Sequence, residues 1–326
     1  MDIVCLGELL VDMFPAELGL RLVQVSAFRP KPGGAPANVA VAAARLGAQS
    51  AFIGKVGDDA FGHHLAAVLH AESVDVRGIC YDAQARTTMA FIAMPDENTS
   101  EFVFYRNPGA DMLLRPDELA VDLLRSTRAF HFGSISLIDQ PSRNATLEAV
   151  QIARQAGALV SFDVNYRPSL WPGSQVARER ILETIPLANV IKVNEVELCL
   201  LAGGDLSQVE GNLDVLSSEL LAHGPDMCVV TLGSKGSFFR IADGSELVPA
   251  FPVKTVDATG CGDGFVAGLL CQLVRGPWRD QLAVWRMRQV MRYANAVGAL
   301  TSLTQGVIPA LPTAAQVDDF LDRYAV

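Results

Sequence analysis

The 326-residue chain has no run of 18 or more uncharged apolar residues, so no stretch of it reads as a membrane-crossing helix. Positive charge is in deficit. Lys and Arg total 26 against 36 Asp and Glu, a net charge of −10. That field repels a nucleic-acid backbone and leaves any anionic ligand to be held by a local device. Six cysteines (Cys5, Cys80, Cys199, Cys228, Cys261 and Cys271) show no C-x-x-C spacing. Thiolate metal binding is thereby disfavoured, and reduced thiols in a cytoplasmic protein are expected. The five histidines (His63, His64, His70, His131 and His223) have neither ligand nor triad spacing, and none is given a catalytic role. No basic leader with a small-residue cleavage site precedes "MDIVCLGELLVDMF", which reads as a first buried strand. Repeats, low-complexity stretches and a dividing linker are also missing, so a single domain over residues 1–326 is expected.

Apolar residues are plentiful. Half the chain is hydrophobic and only 19% charged, enough for a large core. Short apolar or β-branched runs ("DIVCLG", "AQSAFIGKVG", "RAFHFGSIS", "GALVSFDVN", "NVIKVN", "DMCVVTLG") alternate with helical stretches. The latter include "NVAVAAARLG", ending on the good C-terminal residue Gly47, and segments near 141–156, 174–185 and 195–202. This alternation predicts an α/β fold, a mainly parallel sheet flanked by helices. The stretch 86–106 breaks the rhythm with two β-rich runs around a polar turn at Asp96–Ser100, an antiparallel hairpin pattern. A hairpin with no following helix predicts a small β lid, drawn from about 14–30 and 86–107.

The densest chemistry is in "VDATGCGDGF", residues 256–265. A ligand-free strand-to-helix turn would account for the glycines. A dinucleotide fingerprint fails on position, coming late in the chain rather than opening a βαβ unit, and a Walker A loop lacks its lysine. What remains is an anion hole. Gly260 and Gly262 immediately precede the apolar run "GFVAGLLCQLV", and amides at a helix start point outward with the positive end of the dipole. An aspartate there, Asp263, repels an anion; its use is to take a proton from a hydroxyl attacking phosphorus. The pattern is that of phosphoryl transfer. Upstream, "KPGGAPANVAVAAARLG" pairs Gly33 and Gly34 with Asn38, whose amide both donates and accepts, a combination suited to a polyol. "VNEVEL" sets Asn194 and Glu197 three apart, on one face of a helix that starts there. "FDVNYRPSLW" places Asp163, Asn165 and Arg167 on alternate positions after a strand, so that all three project to one side. "VTLGSKGSFF" reads as strand, glycine turn and strand.

Together "DATGCGDGFVAGLL" and "GGAPANVA" resemble the two signatures of the ribokinase-like (PfkB) family of sugar kinases, most closely its fructokinases. Ala258 and Cys261 stand where threonine and alanine are usual. The resemblance runs from residue 2 to about 312. It implies a ribokinase-like fold with transfer of phosphate from ATP to a sugar, Asp263 as base, and Gly260, Cys261 and Gly262 around the transferred group. It places Asp12, Gly33, Gly34, Asn38, Arg106, Asn165 and Arg167 on the sugar. Lys192, Asn194, Thr231, Gly233, Gly236 and Asn295 fall to the nucleotide, with Gly306 a weaker candidate. Magnesium is implied near Asn194 and Glu197, through water, and the family's monovalent-cation (potassium) site near Asp257 and Thr259. Small-molecule sugar and ATP are the expected partners, along with a homodimer formed through the lid. D-fructose is the expected acceptor. A 2-keto-3-deoxygluconate kinase, an aminoimidazole riboside kinase and a non-catalytic binder are the alternatives, and counting charges does not separate the first two sugars, because Arg106 or Arg167 could hold a carboxylate.

Overall fold

A computed structural model describes residues 1–17, 19–93, 95 and 101–324. The chain opens with β1 (Ile3–Leu6), β2 (Leu10–Pro15), β3 (Phe28–Gly33), α1 (Ala35–Arg45), β4 (Ser50–Gly57) and α2 (Ala60–Ala71). Then come β5 (Asp75–Asp82), β6 (Met89–Ala93), β7 (Glu101–Tyr105), α3 (Val121–Ser126), β8 (Ala129–Gly133), α4 (Ser142–Gln155) and β9 (Leu159–Asp163). Next are α5 (Ser174–Thr184), β10 (Val190–Asn194), α6 (Glu195–Ala202), α7 (Leu213–Leu221) and β11 (Met227–Thr231). The last elements are β12 (Ser237–Ile241), β13 (Gly244–Val248), α8 (Cys261–Leu273), α9 (Val284–Thr301) and α10 (Ala314–Arg323).

Nine strands form one sheet in the order β13-β12-β11-β10-β9-β8-β1-β4-β5, parallel throughout except for β12 and β13 at one edge. Strand residues alternate between two cores. Ile3 and Cys5 of β1 pack with α1, α2, α8, α9 and α10, whereas Val4 and Leu6 pack on the other face with α3 to α7. Burial on both faces explains why these strands read as unbroken apolar runs. The expected α/β architecture is therefore present. The edge strands β5 and β13, whose residues are mostly half-exposed, escaped sequence reading because their pattern is mixed.

A second sheet has the order β3-β2-β6-β7. The hairpin of β6 and β7 is antiparallel as expected, while the turn assigned to Asp96–Ser100 lies outside the described residues. The other half differs from expectation. Its strands are not within 14–30 but flank most of it, β2 starting at Leu10 and β3 running to Gly33. That extension carries Asp12 and Gly33 into the second sheet. Among the described residues, no helix is long and apolar enough to cross a membrane.

Helix α8 packs closely on α9 through two glycines one turn apart. A Cβ on Gly264 would lie 2.8 Å from Thr301 Oγ1, and one on Gly268 would lie 2.9 Å from Val297 Cγ2 and 3.1 Å from the Ala294 Cα. Gly268→Val is expected to destabilise the protein by about 1–3 kcal/mol, the usual cost of overpacking, as read from the midpoint of urea unfolding. An unchanged midpoint would show that the helices separate freely.

Candidate active site

The cleft forms at the C-terminal ends of the parallel strands. The neighbours of β1 are β8 on one side and β4 on the other, which makes this the place where the order reverses and a crevice opens. The second sheet faces it. A cleft of about 610 Å³ is lined by β1–β2 residues such as Glu8 and Asp12, by Asp163, Lys192 and Asn194 at strand ends, and by Phe102 and Phe104 of β7.

Three helix N-termini point into this region. At α8 the cap is Gly260, with φ +78°. A side chain there would strike Val307 as well as strain the backbone, so this glycine serves the turn rather than making room for an anion. Gly262 is the open one: a Cβ there would meet only Lys192 Nζ, at 3.4 Å. The Cys261 amide bonds to the Ala258 carbonyl and that of Gly264 to Gly260, while among the described residues the Gly262 and Asp263 amides have no backbone partner. They are the donors an anion would find. At α1, Gly34 takes φ +111° and its missing side chain leaves room for the Glu8 carbonyl. Glu8 Oε1 accepts the Ala35 amide at 3.0 Å, capping α1 from outside the helix. Gly33 similarly leaves room for the Asp12 carboxylate. At α6, Asn194 Oδ1 accepts the Glu197 amide at 2.9 Å and Glu197 Oε2 accepts the Asn194 amide at 2.8 Å, a capping box.

Across the cleft, Asn38 Nδ2 donates to Asp263 Oδ2 at 2.8 Å, joining residues 225 apart in sequence. Asn38 Oδ1 is buried and, among the described residues, unpaired, an acceptor open to a donor. Lys192 Nζ bonds both oxygens of Asp163, at 3.0 and 3.1 Å. Burial would lower the Lys192 pKa, but Asp163 and Glu197 raise it above the ordinary value, so this lysine stays charged. Desolvation pushes three carboxyls the other way. Asp263 rises to about 6, restrained by the Asn38 hydrogen bond; Asp12 rises to about 7, helped by the Asp263 charge and opposed by Arg167; Glu8 rises to about 7. Asn165 lines the cleft with φ +37°, its amide on Asp163 Oδ1 at 3.2 Å, and Arg167 lines it beside Asp12 and Asp263.

A second cavity of about 370 Å³, mainly apolar, continues the cleft past Gly262, sharing Thr231 and Ala258 with it. Gly233, Gly236, Asn295 and Cys261 line it. Gly233 and Gly236 both take positive φ in the turn between β11 and β12. Asn295 is present but occupied. Its Oδ1 accepts Ser237 Oγ at 2.9 Å, and its Nδ2 donates to the Val248 and Pro249 carbonyls at 3.0 and 3.2 Å. The amide braces the pocket wall.

Several expected site residues lie elsewhere. Glu197 does not line the cleft; it is buried, with Oε1 on the Tyr166 amide at 2.8 Å and Oε2 in the capping box. Arg106 is buried against Asp111, Nε to Oδ2 at 2.7 Å, and lines an adjoining cavity of about 360 Å³ behind Phe102 and Phe104. Thr259 lines the cleft, but Asp257 ties the loop together, Oδ1 accepting the Thr259 amide and Oδ2 the Gly306 amide, each at 2.9 Å. Gly306 lines neither cavity. Glu8 is the residue that sequence reading missed. Its one signal was a glutamate directly after the first strand, in "LGEL".

The Asp12 carboxyl gives a stability test. Its native pKa, about 7, lies above the ordinary 3.8, so the folded state binds the proton more tightly. The stability this supplies is full below about pH 3.8 and is lost as pH rises through about 7. Asp12→Asn is therefore expected to unfold with a flatter pH dependence, and to exceed the natural protein by roughly 1–3 kcal/mol at pH 8 but not at pH 4. Urea titrations at the two pH values decide it, and parallel curves would refute the burial of this charge.

A model of the "pfkB family carbohydrate kinase" matches residues 1–314. Probable fructokinase-4 of Arabidopsis thaliana is 46% identical over 321 residues, covering 98% of this chain and 96% of its own. Two crystal structures superpose closely. A fructokinase with bound ATP from Xylella fastidiosa has a TM-score of 0.89 at 32% identity, over 99% of this chain and 98% of that one. The fructokinase of Vibrio cholerae O395, in a form binding fructose, ADP and calcium ion, has a TM-score of 0.87 at 33% identity over 98% of each chain. With a match across nearly its whole length, the chain belongs to the pfkB family of carbohydrate kinases.

Proposed function

We propose that the chain is a fructokinase, transferring the γ-phosphoryl group of ATP to a primary hydroxyl of D-fructose. The observation that supports this most is the position of Asp263. Its carboxylate sits at a helix start beside unpartnered amides, in a polar cleft that opens past Gly262 into an apolar pocket. The relatives named fructokinase supply the choice of sugar.

In this reading the sugar occupies the cleft, its hydroxyls donating to Asp12 and to the unpaired Asn38 Oδ1. Asp263 Oδ2 is held by Asn38, leaving Oδ1 for the attacking hydroxyl. As the oxygen–phosphorus bond forms and the bond to the β,γ-bridging oxygen breaks, the hydroxyl proton passes to Asp263. The Gly262 and Asp263 amides stabilise the charge gathering on the transferred group. The adenine lies in the apolar pocket between the Gly233–Gly236 turn and the α9 wall braced by Asn295.

Magnesium, when bound, would supply charge neutralisation on the phosphates and would need few protein oxygens. Asn194, which lines the cleft, suits an outer contact of that kind. Glu197 does not suit a direct ligand, because each of its oxygens accepts a backbone amide; its part is to hold Asn194 and Tyr166 in place. The potassium site near Asp257 and Thr259 belongs to the same proposal; there Asp257 spends each oxygen on a backbone amide, of Thr259 and of Gly306, so its part is to fix the loop. So does a homodimer through the second sheet acting as lid. Its edge strand β7 leaves Phe102, Val103 and Tyr105 40%, 44% and 67% exposed.

Asp263→Asn is expected to fold and to bind nucleotide while kcat falls roughly 10²–10⁴-fold, the usual worth of a positioned base. With the natural protein, kcat/KM should rise as pH increases through about 6 to 7, because the base works only when deprotonated and titrates beside Asp12. ADP release from fructose over that range reads both. A folded Asp263→Asn protein with unchanged kcat would overturn the assignment, and no ADP release with any sugar would favour a non-catalytic binder. Glu197→Gln should raise the magnesium concentration for half-maximal rate several-fold more than the fructose KM, since it loosens a support rather than a sugar contact. The opposite split would move Glu197 to the sugar side.

A further inference from the structure

Two arginines in the sequence were equal candidates to hold an acid group of the substrate, and the folded chain separates them: Arg106 is ion-paired with Asp111 beside the cleft, whereas Arg167 lines the cleft and, among the described residues, has no ion-pair partner. Among the described residues, six charged side chains line the cleft, four carboxylates (Glu8, Asp12, Asp163 and Asp263) and two cations (Arg167 and Lys192). Lys192 is bonded to both oxygens of Asp163. Arg167 lies in the field of both Asp12 and Asp263. Arg106 stands behind the lid residues Phe102 and Phe104, in the cavity that shares them with the cleft. It is buried, 6% exposed, and so is Asp111, at 7%.

Asp111 is held from two sides. Its Oδ2 accepts Arg106 Nε at 2.7 Å and its Oδ1 accepts the Thr88 hydroxyl at 2.5 Å. Thr88 precedes β6 of the lid and Asp111 follows β7, so the ion pair is fixed to the same small sheet that covers the sugar. Glu8, on the cleft side, feels both partners of the pair, with opposite signs. Seen from the cleft, the Arg106 charge is therefore cancelled by a carboxylate that does not face the substrate.

Given the neutral-sugar reading above, on which this rests, we infer that Asp111 is a specificity-determining residue: by pairing with Arg106 it withdraws a cation next to the lid end of the cleft that a sugar acid could recruit, and so favours neutral sugars. Asp111 acts through Arg106 and does not touch the substrate. The physical reason is that a buried guanidinium already bonded to a carboxylate offers a second anion little net attraction, while the surplus carboxylates of the cleft repel it. The rejected group is any carboxylate carried on a sugar of similar size.

The test compares 2-keto-3-deoxygluconate with D-fructose in one competition assay. With the natural protein, fructose is expected to be preferred by at least about tenfold in kcat/KM. Asp111→Asn keeps the shape and an acceptor for Thr88 but removes the charge; it should raise the acid-to-fructose ratio of kcat/KM about tenfold or more, mainly through KM for the acid. KM for fructose should stay unchanged, which a merely structural disturbance of the lid would not allow. Should that variant fail to fold, the apolar double replacement Arg106→Met/Asp111→Leu removes both charges and should keep the natural ratio. An unchanged ratio in folded Asp111→Asn overturns the inference, and so does a further tenfold loss of acid turnover in the double variant, since Arg106 would then have been serving the acid. A natural protein that prefers the acid would instead overturn the fructokinase reading, a result read before any variant is made.

Discussion

The hydrogen bond from Asn38 to Asp263 is the contact on which the site depends. It requires α1 and α8 to lie side by side under one face of the sheet with both N-termini at the same cleft, and they pack directly against one another. Everything that lets α8 approach α1 and α9 closely, including the two glycines facing α9, serves to place one carboxylate. The bond also limits how far burial raises the Asp263 pKa, since an amide hydrogen favours the charged form. A carboxyl near 6 is mostly ionised at neutral pH and still able to take a proton, as the proposed base must be. One interaction thus sets both position and charge state.

Around it the cleft gathers more negative than positive charge, an odd arrangement for a protein that handles phosphate. The opposing ends resolve it. In the proposed reading the carboxylates accept the sugar's hydroxyls, while the α8 amides, which among the described residues have no backbone partner, meet the phosphate. Helix amides stabilise an anion without a counter-charge of their own to neutralise. The overall charge of −10 is no obstacle to an anionic ligand when a local field of that kind exists.

Two polar side chains expected at the site spend their hydrogen bonds on the protein itself. Asn295 and Glu197 both lie next to the cavities, yet every polar group of each is consumed by backbone partners or a serine. Buried polar groups are satisfied before they are available, so an amide or carboxylate near a ligand is often the brace for the wall and not the contact. The Asn295 partners and the Tyr166 amide could not be seen in a linear pattern, because they come from β12, the end of β13 and the loop after β9; only the Asn194–Glu197 box is local.

Local pattern decided a great deal. Unbroken apolar runs alternating with helical stretches specify strands buried on both faces, and hence the parallel sheet; glycines ahead of an apolar run specify a helix start able to receive an anion; "NEVE" specifies a capping box. Each of these depends on residues within a few positions of one another, and so is legible without the fold. What depends on distant partners was not. The burial of Glu8, the joining of Asn38 to Asp263, the extent of the second sheet from Leu10 to Gly33, and the cancelling of Arg106 by Asp111 arise only when segments far apart, or strands of a second sheet, are brought together. The sequence could count the charges. Only packing, which removes water and sets each charge against a neighbour, decided which of them the cleft would feel.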